Sequence, residues 1–362
     1  MHHMIRVHAG GKWITLEEIG SGIAQPHVNN QEAKALLLIK QWIEGVSEFT
    51  FHTSGTTGPP RPLTFTRGQL ETSARITAGA LSLQPGYTSL VCLDVQFVAG
   101  AMMIVRSLIS GMDMIIRAPS GNPFLGIHAP VDFAALVPAQ LISMLDQGPE
   151  YLRTLKAVLI GGAPLPAGMA HRLQPFEGSF FATYGMTETL THIALQKLNG
   201  TDRQDAFHVL PDFVVTLDDR GCLVVSAPHL GPEPVVTNDY AEMITETSFR
   251  ILGRTDDIIN SGGIKIQPQL VEELLQKILD RRKIYARFMV AGLPDDVLGE
   301  RLVLIMEGDP LPPEHHSSLL SAMAEELPKY KAPKTISYIP RFTCTATQKI
   351  DRNATLRELQ EK

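Results

Sequence analysis

Cysteine is scarce in this chain: Cys92, Cys222 and Cys344 are the only three among 362 residues. Their wide spacing fits neither a disulfide framework nor a zinc site, and a reducing cytoplasmic compartment is the expectation. Positive charge is not concentrated either. With 32 basic against 38 acidic residues and a formal net charge of -6, no basic block can neutralise a run of phosphates, so nucleic acid is not an expected partner. The first residues, MHHMIRVHAGG, lack the apolar stretch that a secretory signal needs. Uninterrupted apolar runs are missing as well. The most apolar segment, Val98 to Ile116, contains Arg106 and Asp113 and is divided by Gly111. Charges near the middle of a span are costly, so this segment reads as a buried helix followed by a strand, with no membrane insertion. Its methionines, Met102, Met103, Met112 and Met114, read as core filler.

A composition of 44% hydrophobic and 19% charged residues over this length supports a large core and two domains. Short β-rich runs alternate with helical patterns. LKAVLIGG (155–162), SFFATYGMTET (179–189) and RGCLVVSAP (220–228) each read as a strand leading into or out of a turn. That alternation predicts an α/β fold. Beyond Gly253 the texture changes: QPQLVEELLQKILD (267–280) has apolar residues at helical spacing, including Leu270, Leu274, Leu275 and Ile278, and two strand-like runs follow. The expected organisation is a large N-terminal α/β domain over 1–253, a hinge at 254–257, and a small C-terminal α+β domain over 258–362.

The strongest chemical signal is Thr53-Ser54-Gly55-Thr56-Thr57-Gly58, followed by Pro59, Pro60 and Arg61. Glycines allow the backbone to approach a ligand closely, and the hydroxyls add donors beside free N–H groups, a combination suited to polyphosphate. Each hydrogen bond to a charged oxygen contributes roughly 1.5–3 kcal/mol. A flexible polar loop is the plain alternative, and the pattern is not GxxxxGK[ST], so a Walker-type nucleotide loop is not expected.

This segment resembles the phosphate-binding signature of the adenylate-forming enzymes, the superfamily of acyl-CoA synthetases, luciferases and peptide-synthetase adenylation domains. Three later segments resemble its further motifs in order: Tyr184-Gly185-Met186-Thr187-Glu188-Thr189, Gly253-Arg254-Thr255-Asp256-Asp257, and Thr347-Gln348-Lys349-Ile350-Asp351-Arg352. The resemblance implies a trimmed large layered domain with a small mobile C-terminal domain, and ATP, Mg²⁺ and CoA as cofactor and co-substrates. It also implies that a carboxylic acid is activated as an acyl-AMP and passed to a thiol. Catalysis is then mainly placement of two anions and neutralisation of charge. Lys349 is implied to bridge the carboxylate and the α-phosphate, Thr187 to touch the α-phosphate, and Glu188 to hold Mg²⁺. Asp239 and Arg254 are implied at the ribose; Gly161, Gly162 and Ala163 lie along the adenine, with Tyr184 and Gly185 opposite. Asp256 is the implied hinge residue, and Ser261, Gly262 and Gly263 border the path of CoA. For the GGAP turn and for Ser261–Gly263, an ordinary glycine-rich turn is the plain alternative.

The phosphate motif begins earlier in this chain than in most adenylate-forming ligases. Compact members of this kind resemble the o-succinylbenzoate–CoA ligases of menaquinone biosynthesis, as do the strings CLDVQFVAGAMMIVRSL, LVPAQL and YGMTETLTHIAL. That substrate has an aromatic ring, a ketone and two carboxylates, one of which must be held while the other reacts. Arg106 is the candidate holder because a guanidinium fork fits a carboxylate; an internal ion pair is its alternative. Phe97, Thr191 and His192 are candidates for the acyl pocket, and His192 reads equally as a core histidine. Arg61, Asn238 and Gln348 depart from the family pattern, and Phe97 stands where many relatives carry an aromatic or histidine gate. Other readings are a ligase for another aryl or fatty acid, a stand-alone adenylation enzyme that loads a carrier protein, and a nucleotide-binding relative without catalysis. The sequence leaves homo-oligomerisation open.

Overall fold

The alternation of strand and helix patterns builds a mostly parallel sheet. The computed structural model describes residues 4–22, 28–52, 61–165, 168–344 and 350–360. They divide into two units, the first comprising residues up to 215 with 225–235 and 245–248, the second 216–224, 236–244 and 249–362.

In the first unit, a hairpin of β1 (Arg6–Ala9) and β2 (Lys12–Thr15) leads to α1 (Leu16–Gly20) and α2 (Asn30–Ile43). Both helices start with reciprocal capping boxes, Thr15 with Glu18 and Asn29 with Glu32, which satisfy N–H groups that the helix itself leaves unpaired. A second hairpin, β3 (Glu48–His52) and β4 (Pro62–Thr66), pairs His52 opposite Pro62. Then come α3 (Arg67–Leu81), β5 (Thr88–Val91), α4 (Val98–Ser110), β6 (Asp113–Ile116), β7 (Phe133–Leu136), α5 (Pro138–Gln147) and β8 (Ala157–Ile160). The unit continues with α6 (Met169–Leu173), β9 (Ser179–Gly185), β10 (His192–Lys197) and β11 (Phe207–Val209).

The strand order in this unit is β11-β10-β9-β8-β7-β5-β6-β1-β2. Pairings from β9 to β1 are parallel, and those at the two ends are antiparallel. Every residue of β6, β7 and β8 is buried, as parallel strands covered on both faces require. Gly111, at φ 71°, ends α4 in the left-handed conformation, so the apolar segment divides into helix and strand at the residue expected. All four of its methionines are fully buried.

The second unit includes most of β12 (Val214–Leu217), β13 (Cys222–Ser226), β14 (Val235–Thr245) and β15 (Ser248–Arg254), neighbours in that order. A separate sheet follows: β16 (Ile259–Ser261), β17 (Ile264–Ile266), β18 (Phe288–Asp295), β19 (Gly299–Glu307) and β20 (Thr335–Ile339). Helices α7 (Pro268–Arg281) and α8 (Pro313–Glu326) cover one face through Val271, Leu275, Ile278, Leu319 and Met323. The buried stripe of α7 thus includes Val271 and Leu279 while Leu274 is exposed, a rotation of part of a turn from the face read in the sequence. Helix α9 (Arg352–Gln360) covers the other face through Leu356 and Leu359. The division into units runs through the β12–β15 ribbon. Arg254 itself ends β15, and Thr255–Asp257 form one 3₁₀ turn. Among the described residues, no helix is long and apolar enough to cross a membrane.

Candidate active site

Topology fixes where a ligand belongs in the first unit. From β5 the chain crosses through α4 to β6 on one side, and from β7 it crosses through α5 to β8 on the other. β5 and β7 are neighbours, so the connections diverge between them. Ligands of open α/β sheets bind at such a switch point, beyond the carboxyl ends of the strands. Four connections emerge on that edge: residues 92–97 after β5, Val137 after β7, Gly161–Ala163 after β8, and Met186–Thr189 after β9.

These connections carry many of the residues singled out by sequence. Phe97 is the half-buried N-cap residue of α4. Gly161 donates its N–H to Leu136 O at 3.1 Å, and a Cβ there would meet Thr183 Oγ1 at 2.1 Å. Gly162 has φ 87°, a conformation that side chains disfavour. The segment is thus a glycine-dependent bend at the carboxyl end of β8. Tyr184 is half-buried with its ring 5.9 Å from Phe207. Gly185 has no room for a side chain, since its Cβ would lie 2.2 Å from Thr191 O. This close approach brings the start of β10 against the end of β9. Thr187 and the exposed Glu188 occupy a 3₁₀ turn closed by Thr189, whose Oγ1 accepts from Met186 N at 3.1 Å.

Beneath this edge lies a polar group that the sequence reading captured only in part. Arg106 on α4 is 2% exposed, its Nε has no hydrogen-bond partner, and no salt bridge forms with it among the described residues. Burial pulls its pKa down from the ordinary value to about 9. His192 is buried, and burial first, then the charge of Arg106, hold its imidazole well below the ordinary value, so it is neutral at pH 7. Two residues of α3 complete the group. Ser73 lies 3.2 Å from Thr191 Oγ1, and Thr77 Oγ1 lies 3.1 Å from His192 Nε2. Thr77 donates its one hydroxyl hydrogen to Ser73 O at 3.2 Å, so it accepts from the protonated Nε2 of His192. Sequence reasoning missed Ser73 and Thr77. The available signal was their place on the buried stripe Leu70, Ser73, Ala74, Thr77 of α3, where two polar residues sit at core-facing spacing.

In the second unit, Asp239 on β14 and Arg254 at the end of β15 meet, with Arg254 Nη1 donating to Asp239 Oδ1 at 2.8 Å. Arg254 also grips Asp256 through Nε at 3.0 Å and Nη2 at 2.8 Å. Burial would raise the Asp256 carboxyl, but the Arg254 hydrogen bond and charge outweigh it and hold the pKa below its ordinary value. Asn238, a departure from the family pattern, accepts from Arg220 Nη1 at 3.0 Å. Gly262 and Gly263, both at positive φ, form the two-residue turn between Ser261 and Ile264, the plain role that paired glycines fill in hairpins.

The phosphate segment Thr53, Ser54, Gly55, Thr56, Thr57 and Gly58, and also Lys349, lie outside the described residues. The residues that flank them are described. Arg61 is exposed at the start of the return strand. Cys344 bridges Ile350, and Asp351 N donates to Thr343 O at 2.9 Å. Arg352, three positions after Lys349, binds both oxygens of Glu272 at 2.6 and 2.7 Å.

The donor set suits Mg²⁺ held in the presence of phosphates. Among the described residues, no three His, Cys, Asp or Glu side chains cluster to hold a metal. Glu188 offers one exposed carboxylate in a hydroxyl-rich turn, and Mg²⁺ commonly takes one or two carboxylates and completes its shell with phosphate oxygens and water.

Residues 49–219 match the AMP-binding enzyme family model. The chain is 28% identical over 331 residues to the probable 2-succinylbenzoate–CoA ligase of Mycobacterium tuberculosis, covering 84% of this chain and 82% of that one. It is 36% identical to an acyl-CoA synthetase (AMP-forming)/AMP-acid ligase II-like protein from Dyadobacter fermentans of known structure, with a TM-score of 0.60 over 94% of this chain and 97% of that one. It shares its fold with O-succinylbenzoate coenzyme A synthetase from Bacillus subtilis, solved with ATP and magnesium ion, at TM-score 0.72 and 23% identity over 85% of this chain and 69% of that one. The chain belongs to the AMP-binding family of adenylate-forming enzymes, among its acid–CoA ligases.

Proposed function

We propose that the chain converts 2-succinylbenzoate to 2-succinylbenzoyl-CoA through an acyl-AMP, with release of pyrophosphate. The observation that carries this substrate is Arg106, a buried guanidinium beneath this edge whose Nε has no hydrogen-bond partner among the described residues. A cation in that state binds an anionic group that enters with the substrate, and its planar fork matches a carboxylate. A dicarboxylic acid supplies one carboxylate for that role and keeps the other for reaction. The relative from Mycobacterium tuberculosis, a probable 2-succinylbenzoate–CoA ligase, supports the same reading.

ATP, when bound, supplies the electrophilic α-phosphate, and Mg²⁺ screens its charge. Asp239 accepts hydrogen bonds from the ribose hydroxyls, and Arg254 orients Asp239. Tyr184 and Gly185 face the adenine on one side, and Gly161, Gly162 and Ala163 on the other. Residues Thr53 to Gly58, with Arg61, hold the β- and γ-phosphates. Thr187 holds the α-phosphate, and Glu188 takes the metal. Lys349 neutralises the developing charge between carboxylate and α-phosphate, which is where electrostatic catalysis is strongest. Phe97, Thr191 and His192 line the acyl pocket. Asp256 is the hinge, and Ser261, Gly262 and Gly263 border the route of CoA once the small domain turns.

The test is acid-dependent pyrophosphate release with 2-succinylbenzoate, benzoate, a fatty acid and amino acids in parallel. Strong preference for 2-succinylbenzoate supports the proposal. Preference for a monocarboxylic acid transfers the enzyme to another aryl or fatty acid, response to amino acids favours carrier-protein loading, and no response favours a binding protein.

A further inference from the structure

Residues 92–97 form the connection from β5 to α4, the one that ends in Phe97. Another element grips it from outside the sheet. Gln31, in the first turn of α2 and 6% exposed, donates from Nε2 to Leu93 O at 2.7 Å and accepts from Val95 N through Oε1 at 3.4 Å. One side-chain amide thus pairs with two backbone groups two residues apart, as a neighbouring strand would. One turn on, Lys34 Nζ donates to Gln96 Oε1 at 2.6 Å. From the α4 side, Gly100 presses on the same connection, since a Cβ there would lie 2.4 Å from Asp94 O and 2.7 Å from Leu93 O. The connection also holds itself through Phe97 N to Asp94 O at 3.1 Å and Gln96 N to Asp94 Oδ1 at 2.9 Å.

We propose that Gln31, assisted by Lys34, is a positioning residue for acid specificity: its amide fixes the Leu93–Val95 backbone and thereby sets where Phe97 stands at the acyl pocket. The inference rests on the proposed acyl pocket at this edge. It adds a part of the chain, α2, that no motif marks. A purely structural clasp would weaken folding without discriminating between substrates. A positioning clasp changes recognition of the acid and leaves recognition of ATP alone, because the nucleotide contacts come from other connections.

The experiment compares Gln31→Leu, Gln31→Glu and Lys34→Ala with the unaltered chain. Pyrophosphate release is titrated separately with acid and with ATP, and amide hydrogen exchange is followed at residues 93–97 without substrate. Gln31→Leu is expected to raise KM for the acid at least 10-fold, to change KM for ATP less than 3-fold, and to speed exchange at the Val95 amide. Gln31→Glu, which has a carbonyl-like oxygen and an O–H when protonated, is expected to recover acid KM toward the unaltered value as pH falls. Lys34→Ala, at a half-buried position, is expected to act in the same direction by 2- to 3-fold and serves as the second variant should a Gln31 variant not fold. Equal changes in both KM values, or unchanged acid KM with faster exchange, overturns the inference. Failure of the unaltered chain to use 2-succinylbenzoate overturns only the substrate assignment; the variants are then read with the acid that the panel selects. Should no acid serve, unchanged exchange at Val95 in Gln31→Leu overturns the inference by itself.

Discussion

Replacing Arg106 with methionine should make the protein more stable and a worse enzyme for one class of acid. The guanidinium is buried, its Nε has no hydrogen-bond partner among the described residues, and its pKa lies near 9, far below the ordinary value. Each pKa unit corresponds to about 1.4 kcal/mol, so the drop from 12.5 to about 9 means the charge costs the ligand-free fold on the order of 5 kcal/mol at neutral pH. The sign follows from proton counting: between about pH 9 and the ordinary arginine pKa the unfolded chain binds more protons, and below pH 9 the penalty is fully present. Methionine has similar length and no charge, and exchange of buried charges for apolar residues stabilises by about 1–4 kcal/mol. At about 2–4 °C per kcal/mol, Tm should rise by several degrees. The gain should shrink above pH 9, where the native arginine sheds its proton. For catalysis, loss of a bidentate contact worth roughly 1.5–3 kcal/mol per bond should raise KM for a dicarboxylic acid about 100-fold or more, with little change for a monocarboxylic acid. Thermal unfolding at pH 7 and pH 10, with KM for both acids, decides the matter. A lower Tm together with an unchanged ratio of the two KM values would refute the reasoning.

Acidification should weaken the fold through His192. Its imidazole is neutral when folded because of burial and Arg106, whereas the unfolded chain gains the proton below about pH 6.5, so urea stability should fall by up to about 1.4 kcal/mol per pH unit below that point; His192→Asn should flatten that slope, and an unchanged slope contradicts the assignment. Asp239→Asn should raise KM for ATP at least 10-fold while leaving KM for the acid within 3-fold, and equal effects on both would remove Asp239 from the ribose. Gly185→Ala should destabilise by about 1–3 kcal/mol, because its Cβ would meet Thr191 O at 2.2 Å; a denaturation midpoint equal to that of the unaltered chain would show that the contact relaxes freely.

The sequence is informative where physics is local or where a motif is contiguous. Gly111 divides the apolar segment because only glycine reaches φ 71° there without strain, and the alternation of strands and helices is enough to predict an α/β fold. Tyr184, Gly185 and Glu188 form one contiguous string, so their grouping needs no tertiary information. Arg106 was legible as a charge in an apolar stretch, but whether an acid pairs with it depended on the fold. Ser73, Thr77 and Gln31 stayed hidden because their partners are 118, 115 and 62 residues away in sequence, and an isolated polar residue on a helix says nothing about what it meets. The buried face of α7 was misplaced by part of a turn because Leu270, Leu274, Leu275 and Ile278 leave two helical stripes nearly equal, and packing against the second sheet selects Val271 and Leu279.

On the proposed roles, adenylation depends on Lys349 and thioester formation does not. The direct measurement is single-turnover kinetics of Lys349→Ala in the two half-reactions, ATP with acid in one and supplied acyl-AMP with CoA in the other. The account predicts that pyrophosphate release falls by two orders of magnitude or more, while thioester formation from acyl-AMP stays within a few-fold of the unaltered enzyme. Equal loss in both steps, or full activity in the first, would contradict it.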